Sequence, residues 1–158
     1  MTAAQPSSTP ADERAVVVST TIEADPATVW ANVRDIASHV DWMQDAVAIR
    51  FLSDQWEGVG THFECDTRIG PFGLTDVMEI TSWEDELRIG VRHVGLVEGT
   101  GEFTLIDLGS NRTEFRWEED LRFPWWMGGP LGALVARPIL RHVWRGNLAR
   151  LKTRVEND

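Results

Sequence analysis

Four polar side chains fall, by the alternation of their neighbours, on faces that are otherwise apolar: Asp76, His93, Glu119 and Asn147. Brought together they supply a proton donor or acceptor, a second carboxylate and an amide that donates hydrogen bonds. That set suffices for aldol cyclisation and dehydration, in which a carbonyl is enolised and water is then expelled. The proton carriers in such chemistry would be His93 and Glu119. The chain has 8 Trp and 0 Tyr, so it has no phenol to act as a general acid in their place. The plainer alternative is that the four groups satisfy one another, or open to solvent at a cavity mouth.

Each of these residues takes its orientation from the element that carries it. Residues 16–22 are β-branched and apolar enough for a strand, and Asp25 followed by Pro26 is an N-cap and a first helical residue. Val29, Trp30, Val33 and Ile36 have helical spacing, and Ser38 with Asp41 predicts a capping box for a second short helix ending near Met43. Period-two segments follow. Val47, Ile49 and Phe51 form one inner face, and Phe63, Cys65, Thr67 and Ile69 the next, with His62 outside. In residues 74–83 the set Asp76, Met78, Ile80 competes with Val77, Glu79, Thr81, Trp83, and the first set is favoured. Leu87, Ile89 and Val91 carry their parity on to His93. Phe103 and Leu105 share a side, and Thr113, Phe115, Trp117, Glu119 and Leu121 form the clearest row. An unpaired carboxylate in that row is costly to keep ionised.

Residues 128–155 read as a long terminal helix, broken or restarted at Pro138. Leu140, Val143, Trp144, Leu148, Leu151 and Val155 make its apolar stripe, with Asn147 near the middle, where a buried amide must find a partner.

Strand, helix, helix, strands and a long final helix is an unusual order. With the wording Ala24-Asp25-Pro26 through Val29-Trp30, Asp35 and His39-Val40-Asp41-Trp42-Met43, it resembles the START-like (SRPBCC) superfamily. The resemblance is greatest to the branch of polyketide cyclase/dehydrase and lipid transport proteins. It implies an α+β helix-grip fold: a curved antiparallel sheet of about seven strands around a long C-terminal helix, two short helices after the first strand, and a ligand cavity between sheet and helix. His39, Asp41 and Trp42 themselves read as structural, Asp41 supporting a helix start and Trp42 packing under the sheet edge.

Composition narrows the function. A chain of 158 residues with 42% hydrophobic content suits one domain, over residues 15–157, preceded by a disordered tail over residues 1–14 that is rich in Ala, Ser, Thr and Pro. There is no run of roughly 18 apolar residues and no signal peptide, so a cytoplasmic protein is expected. One cysteine, Cys65, excludes an intrachain disulfide and a cysteine metal cluster, and it reads as a small buried hydrophobe. A net charge of −10 argues against nucleic acid and against stable membrane association. No phosphate loop, dinucleotide fingerprint, nucleophile elbow or HExxH pair occurs, so no cofactor or metal is expected.

The expected partner is a small hydrophobic or aromatic ligand of lipid, polyketide or isoprenoid type. Its lining is expected to come from Phe63, Asp76, Met78, Ile80, Ile89, Val91, Phe103, Phe115 and Trp117 of the strands and from Leu140, Val143, Trp144 and Asn147 of the helix. Trp126 stands in the segment Phe123-Pro124-Trp125-Trp126-Met127-Gly128-Gly129-Pro130, a candidate gate. Simple binding and acid–base catalysis remain open as alternatives. A third class, a protein-interaction module, would reveal itself by an exposed apolar patch outside the cavity.

Overall fold

The computed structural model describes residues 14–158, so the tail expected over residues 1–14 lies outside the described residues except for Arg14. The elements run β1 (Val16–Ile22), α1 (Pro26–Val33), a 3₁₀ helix (Ile36–Asp41), β2 (Ala46–Phe51), β3 (His62–Ile69), β4 (Phe72–Glu84), β5 (Arg88–Val94), β6 (Glu98–Asp107), β7 (Thr113–Arg122), a short 3₁₀ helix (Trp125–Met127) and α2 (Gly129–Asn157). The strands form one sheet in the order β1-β7-β6-β5-β4-β3-β2, and every neighbouring pair is antiparallel. This is the expected helix-grip fold, a curled seven-stranded sheet with a long C-terminal helix.

Local chemistry accounts for the start of the chain, with one correction. Asp25 caps α1, its Oδ1 accepting from the Thr28 N–H at 2.8 Å, and Pro26 opens the helix. The expected capping box at Ser38 does not form. Asp35, three residues earlier, caps the segment by accepting from the Ala37 N–H at 3.1 Å, and the Ser38 hydroxyl donates to the Asp35 carbonyl instead. The result is a 3₁₀ helix that stops at Asp41 rather than near Met43.

Two bulges change the alternation. A register shift between Ala46 and Ala48 puts Ala46 inside and leaves Val47 exposed, against its expected inner place, while Ile49 and Phe51 still face in. A second shift between Ile80 and Ser82 means that Asp76, Met78 and Ile80 hold the inner face of β4 up to the bulge, after which Trp83 turns inward. Trp83 then packs edge-on against Trp30, with ring centroids 5.3 Å apart. The two competing sets of β4 thus each supply part of the core. Leu87 lies just ahead of β5 and is exposed, so the inner row there starts at Ile89.

Helix α2 is continuous over 29 residues despite Pro138. Pro138 and Leu134, whose carbonyl loses its helical partner, both lie on the exposed side, where water can take that carbonyl. The helix rests on β1 and β7. Trp144 stacks on Trp117 at 4.8 Å and 22°, and Leu148, Leu151 and Val155 complete a buried stripe. Trp42 is central rather than under the sheet edge: it is almost fully buried, with Phe103 at 6.0 Å, Trp117 at 6.3 Å and Phe115 at 6.4 Å. Burying one such side chain as fully as Phe115 contributes up to about 3 kcal/mol.

Candidate functional site

Antiparallel register arranges the inner face into rows that cross the sheet. One row runs Phe51, Phe63, Met78, His93, Gly99, Leu121. The next runs Ile80, Val91, Gly101, Glu119, Val16, and the third Trp83, Ile89, Phe103, Trp117, Val18. In the first two rows β6 contributes only glycine. The gap lets His93 of β5 and Glu119 of β7 reach toward each other across a strand that has no side chain between them. A Cβ added at Gly101 would stand 3.0 Å from Glu119 Cγ and Oε1 and 3.1 Å from Val91 Cγ2. At Gly99, with φ +141°, it would meet the Asp120 carbonyl oxygen at 1.9 Å.

Asp76 lies diagonally beside His93 on β4 and hydrogen-bonds its Nδ1. The other ring nitrogen, Nε2, stands 3.8 Å from Glu119 Oε1, too far for a hydrogen bond. His93 Nε2 and Asp76 Oδ1 are buried and have no hydrogen-bond partner among the described residues. Glu119 Oε1 accepts from the Trp117 indole N–H at 3.1 Å. Asp76 and His93 are buried, and the Glu119 side chain is 11% exposed. The three groups form one chain: carboxylate, imidazole, carboxyl.

Burial raises the Glu119 carboxyl to about 7, against the opposing pull of His93 and the Trp117 hydrogen bond. Burial alone would lower His93, but the hydrogen bond to Asp76 and the charges of Glu119 and Asp76 outweigh it and hold the imidazole above its usual value. With Asp76 accepting from Nδ1–H, the tautomer leaves Nε2 free to accept a proton.

The surroundings are apolar. Phe103, Phe115, Trp117, Trp42 and Trp144 form a wall beside the relay, with Phe103 and Trp117 at 5.2 Å. A cavity of about 10 Å³ lies between Glu119, Leu121, Phe123, Ala133, Arg137, Leu140 and Trp144, room for about one water molecule. Because α2 sits over β1 and β7, Ile49, Phe51, Met78 and Val91 on the other half of the inner face stay half-buried, as do Leu140 and Val143 of the helix. A larger cleft of about 330 Å³ lies on the outer face of the sheet, among Thr100, Glu102, Glu118 and Asp120.

Most of the residues expected to line a site are therefore on one face. Phe63, Asp76, Met78, Ile80, Ile89, Val91, His93, Phe103, Phe115, Trp117 and Glu119 share the inner side of the sheet, and Leu140, Val143 and Trp144 face it from α2. Two stand apart. Asn147 is fully buried but committed elsewhere: its Oδ1 accepts from the Gln44 N–H at 2.9 Å, and its Nδ2 donates to Asp45 Oδ1 at 2.7 Å. It clamps α2 to the loop before β2 instead of reaching for a ligand. Trp126 is 58% exposed, on the outside of the segment read as a gate. His39 is buried, with its Nε2–H donating to the Val33 carbonyl at 2.7 Å, and burial lowers it to about 4. Sequence reasoning missed the glycine gap. Its signal was present in Gly99-Thr100-Gly101, two glycines at the period of a strand. Among the described residues no cluster of His, Cys, Asp and Glu has the makings of a metal site.

A sequence-family model described as polyketide cyclase / dehydrase and lipid transport matches residues 13–156. Comparison with curated proteins finds no match. Among solved structures, the Zhui aromatase/cyclase from a Streptomyces species is similar, with 19% identity, a TM-score of 0.70, and 90% of this chain and 93% of that chain covered. A START superfamily protein from Mycobacterium smegmatis is similar at 14% identity and TM-score 0.70, covering 88% and 97%. The di-domain ARO/CYC BexL matches at 14% identity and TM-score 0.69, over 90% of this chain and 46% of that one. At these identities the likeness is one of fold.

Proposed function

The chain belongs to the polyketide cyclase/dehydrase and lipid transport family, and from that premise we propose that it binds a small apolar or aromatic molecule, of lipid, polyketide or isoprenoid type, over the half-buried inner face. On that molecule the Asp76–His93–Glu119 relay carries protons. One observation supports the catalytic part: a buried imidazole nitrogen without a partner, backed by one carboxylate and faced by another at 3.8 Å. A purely structural histidine would resemble His39, whose buried ring bonds a backbone carbonyl.

The chemistry follows from the charge states. In its neutral form His93, made more basic by Asp76 and Glu119, takes a proton at Nε2 from a carbon beside a carbonyl, while Asp76 steadies the imidazolium. The enolate attacks a second carbonyl, a C–C bond forms, and the new alkoxide takes a proton from Glu119 or the imidazolium. Removal of a second α-proton and protonation of the departing hydroxyl release water. No oxidant or reductant is consumed. An oxygen about 2.8 Å from both Nε2 and Oε1 would bridge the pair. A flat ring needs more room than 10 Å³, so the reading requires α2 or Trp144 to shift on binding.

Native mass spectrometry of the protein from its own source identifies any retained ligand, and a poly-β-ketone surrogate then tests turnover. His93→Ala and Glu119→Gln are expected to keep binding, read by tryptophan quenching, and to lose turnover by about 10²-fold or more. Unchanged turnover in both variants removes the catalytic assignment and leaves a carrier. Loss of binding in the wild type removes both.

A further inference from the structure

The first half of α2 carries apolar side chains on its outer side as well as on the side that faces the sheet, which a helix at a protein surface ordinarily does not. Ala133, Leu140 and Trp144 face the sheet. On the opposite side Leu131, Leu134, Val135 and Ile139, spaced i, i+3, i+4 and i+8, are each at least half exposed. Pro138 is exposed among them, and Trp125 and Trp126 extend the patch from the preceding 3₁₀ helix, also mostly exposed. Such a continuous patch marks an interaction surface.

Charge says what covers it. Residues 121–155 hold Arg122, Arg137, Arg141, Arg145, Arg150, Lys152 and Arg154 and no Asp or Glu, in a chain of net charge −10. Arg141 and Arg145, at i and i+4, lie beside the apolar stripe, while Arg137, a turn earlier, lines the small cavity next to Glu119. They make no ion pair among the described residues, whereas Arg50, Arg88, Arg92 and Arg116 on the sheet each hold a carboxylate. A second copy docked through the same face would set arginine against arginine. Residues 1–13 carry no large apolar side chain beyond Met1, so their composition offers no apolar face to match the stripe.

We propose that this face docks on the anionic surface of a lipid bilayer. The Trp125–Ile139 side lies in the interface plane, tryptophans at the depth of the headgroups, and the arginines meet lipid phosphates. No helix among the described residues is long and apolar enough to cross a membrane. The acidic remainder of the chain is repelled by the same surface, which makes the docking reversible. The inference stands without the proton relay, because it uses the opposite side of α2.

Cosedimentation of the full chain with vesicles tests it, using phosphatidylcholine alone and phosphatidylcholine with phosphatidylglycerol. Binding is expected only with the anionic vesicles, accompanied by a blue shift of tryptophan emission and weakened by added salt. The pair Arg141→Glu and Arg145→Glu should lower binding by about 30-fold or more. Leu134→Ser with Ile139→Ser should lower it about tenfold. All four positions are at the surface of α2, and circular dichroism verifies that the variants fold. Equal binding to neutral and anionic vesicles, or binding to neither, overturns the proposal. So does a concentration-dependent rise in solution mass that Leu134→Ser with Ile139→Ser abolishes, which would make a second copy the occupant. Binding to soluble polyglutamate without binding to vesicles would point to an acidic protein and also overturn it.

Discussion

Glu119 and His39 are two buried ionisable groups whose protons pull stability in opposite directions. Glu119 titrates near 7 in the fold against 4.5 when free. Between those values the folded chain keeps a proton that the unfolded chain has released, so stability falls as pH rises from 4.5 to 7. His39 titrates near 4 against 6.5. There the unfolded chain binds the extra proton, so stability falls as pH drops from 6.5 to 4. The slopes nearly cancel in the wild type. Glu119→Gln removes one, and its stability relative to the wild type should grow by about 3 kcal/mol between pH 4.5 and 7. Urea unfolding at a series of pH values measures it. A difference that stays constant with pH would mean that Glu119 keeps its ordinary acidity, and the acid of the proposed reaction would be lost with it.

At the scale of elements, the side chain that ties α2 to the rest of the molecule is Asn147. It fills both amide functions with Gln44 N–H and Asp45 Oδ1 at zero exposure. Asn147→Ala would strand a buried N–H and a carboxylate oxygen and should cost about 2–4 kcal/mol, read as a lowered denaturation midpoint without loss of the vesicle binding assigned to the other side of the helix. Periodicity made most of the inner face legible, because β3, β5 and β7 keep strict alternation, and the stripe from Leu140 to Val155 keeps helical spacing. It failed at Val47 and at Trp83, since a bulge adds one residue and reverses parity without any mark in composition. It failed at Pro138 because the cost of a missing N–H depends on whether water reaches the orphaned carbonyl, which only the packing decides. For the site, the rows placed His93, Asp76 and Glu119 on one side. Their mutual distances depended on register, and on two glycines whose meaning lay in what was missing opposite them.

The molecule as a whole divides its charge. The sheet carries acidic groups, of which Glu64, Asp66, Glu79 and Glu84 pair with arginine on a neighbouring strand, while among charged residues the last 35 before Glu156 carry only basic ones. The same helix thus has three duties on three sides: it closes the apolar interior with Trp144, anchors through Asn147, and presents Leu134 and Ile139 outward. A shift of α2 away from β1 and β7 to admit a ligand would move the outward stripe too, so surface docking and opening of the inner face would share one moving part.

The stack of Trp117 on Trp144 bridges that moving part and the sheet. Two indoles 4.8 Å apart and nearly parallel are coupled chromophores. In a chain whose 8 Trp are accompanied by 0 Tyr, their exciton signal in circular dichroism is free of phenol absorption. The fold therefore carries its own optical gauge of the gap between helix and sheet. The part of the signal that Trp144→Leu removes belongs to this pair, the edge-on pair Trp30 and Trp83 remaining, and that part should fade when a ligand parts the two rings; if it is unchanged at saturating ligand, the helix stays where it is.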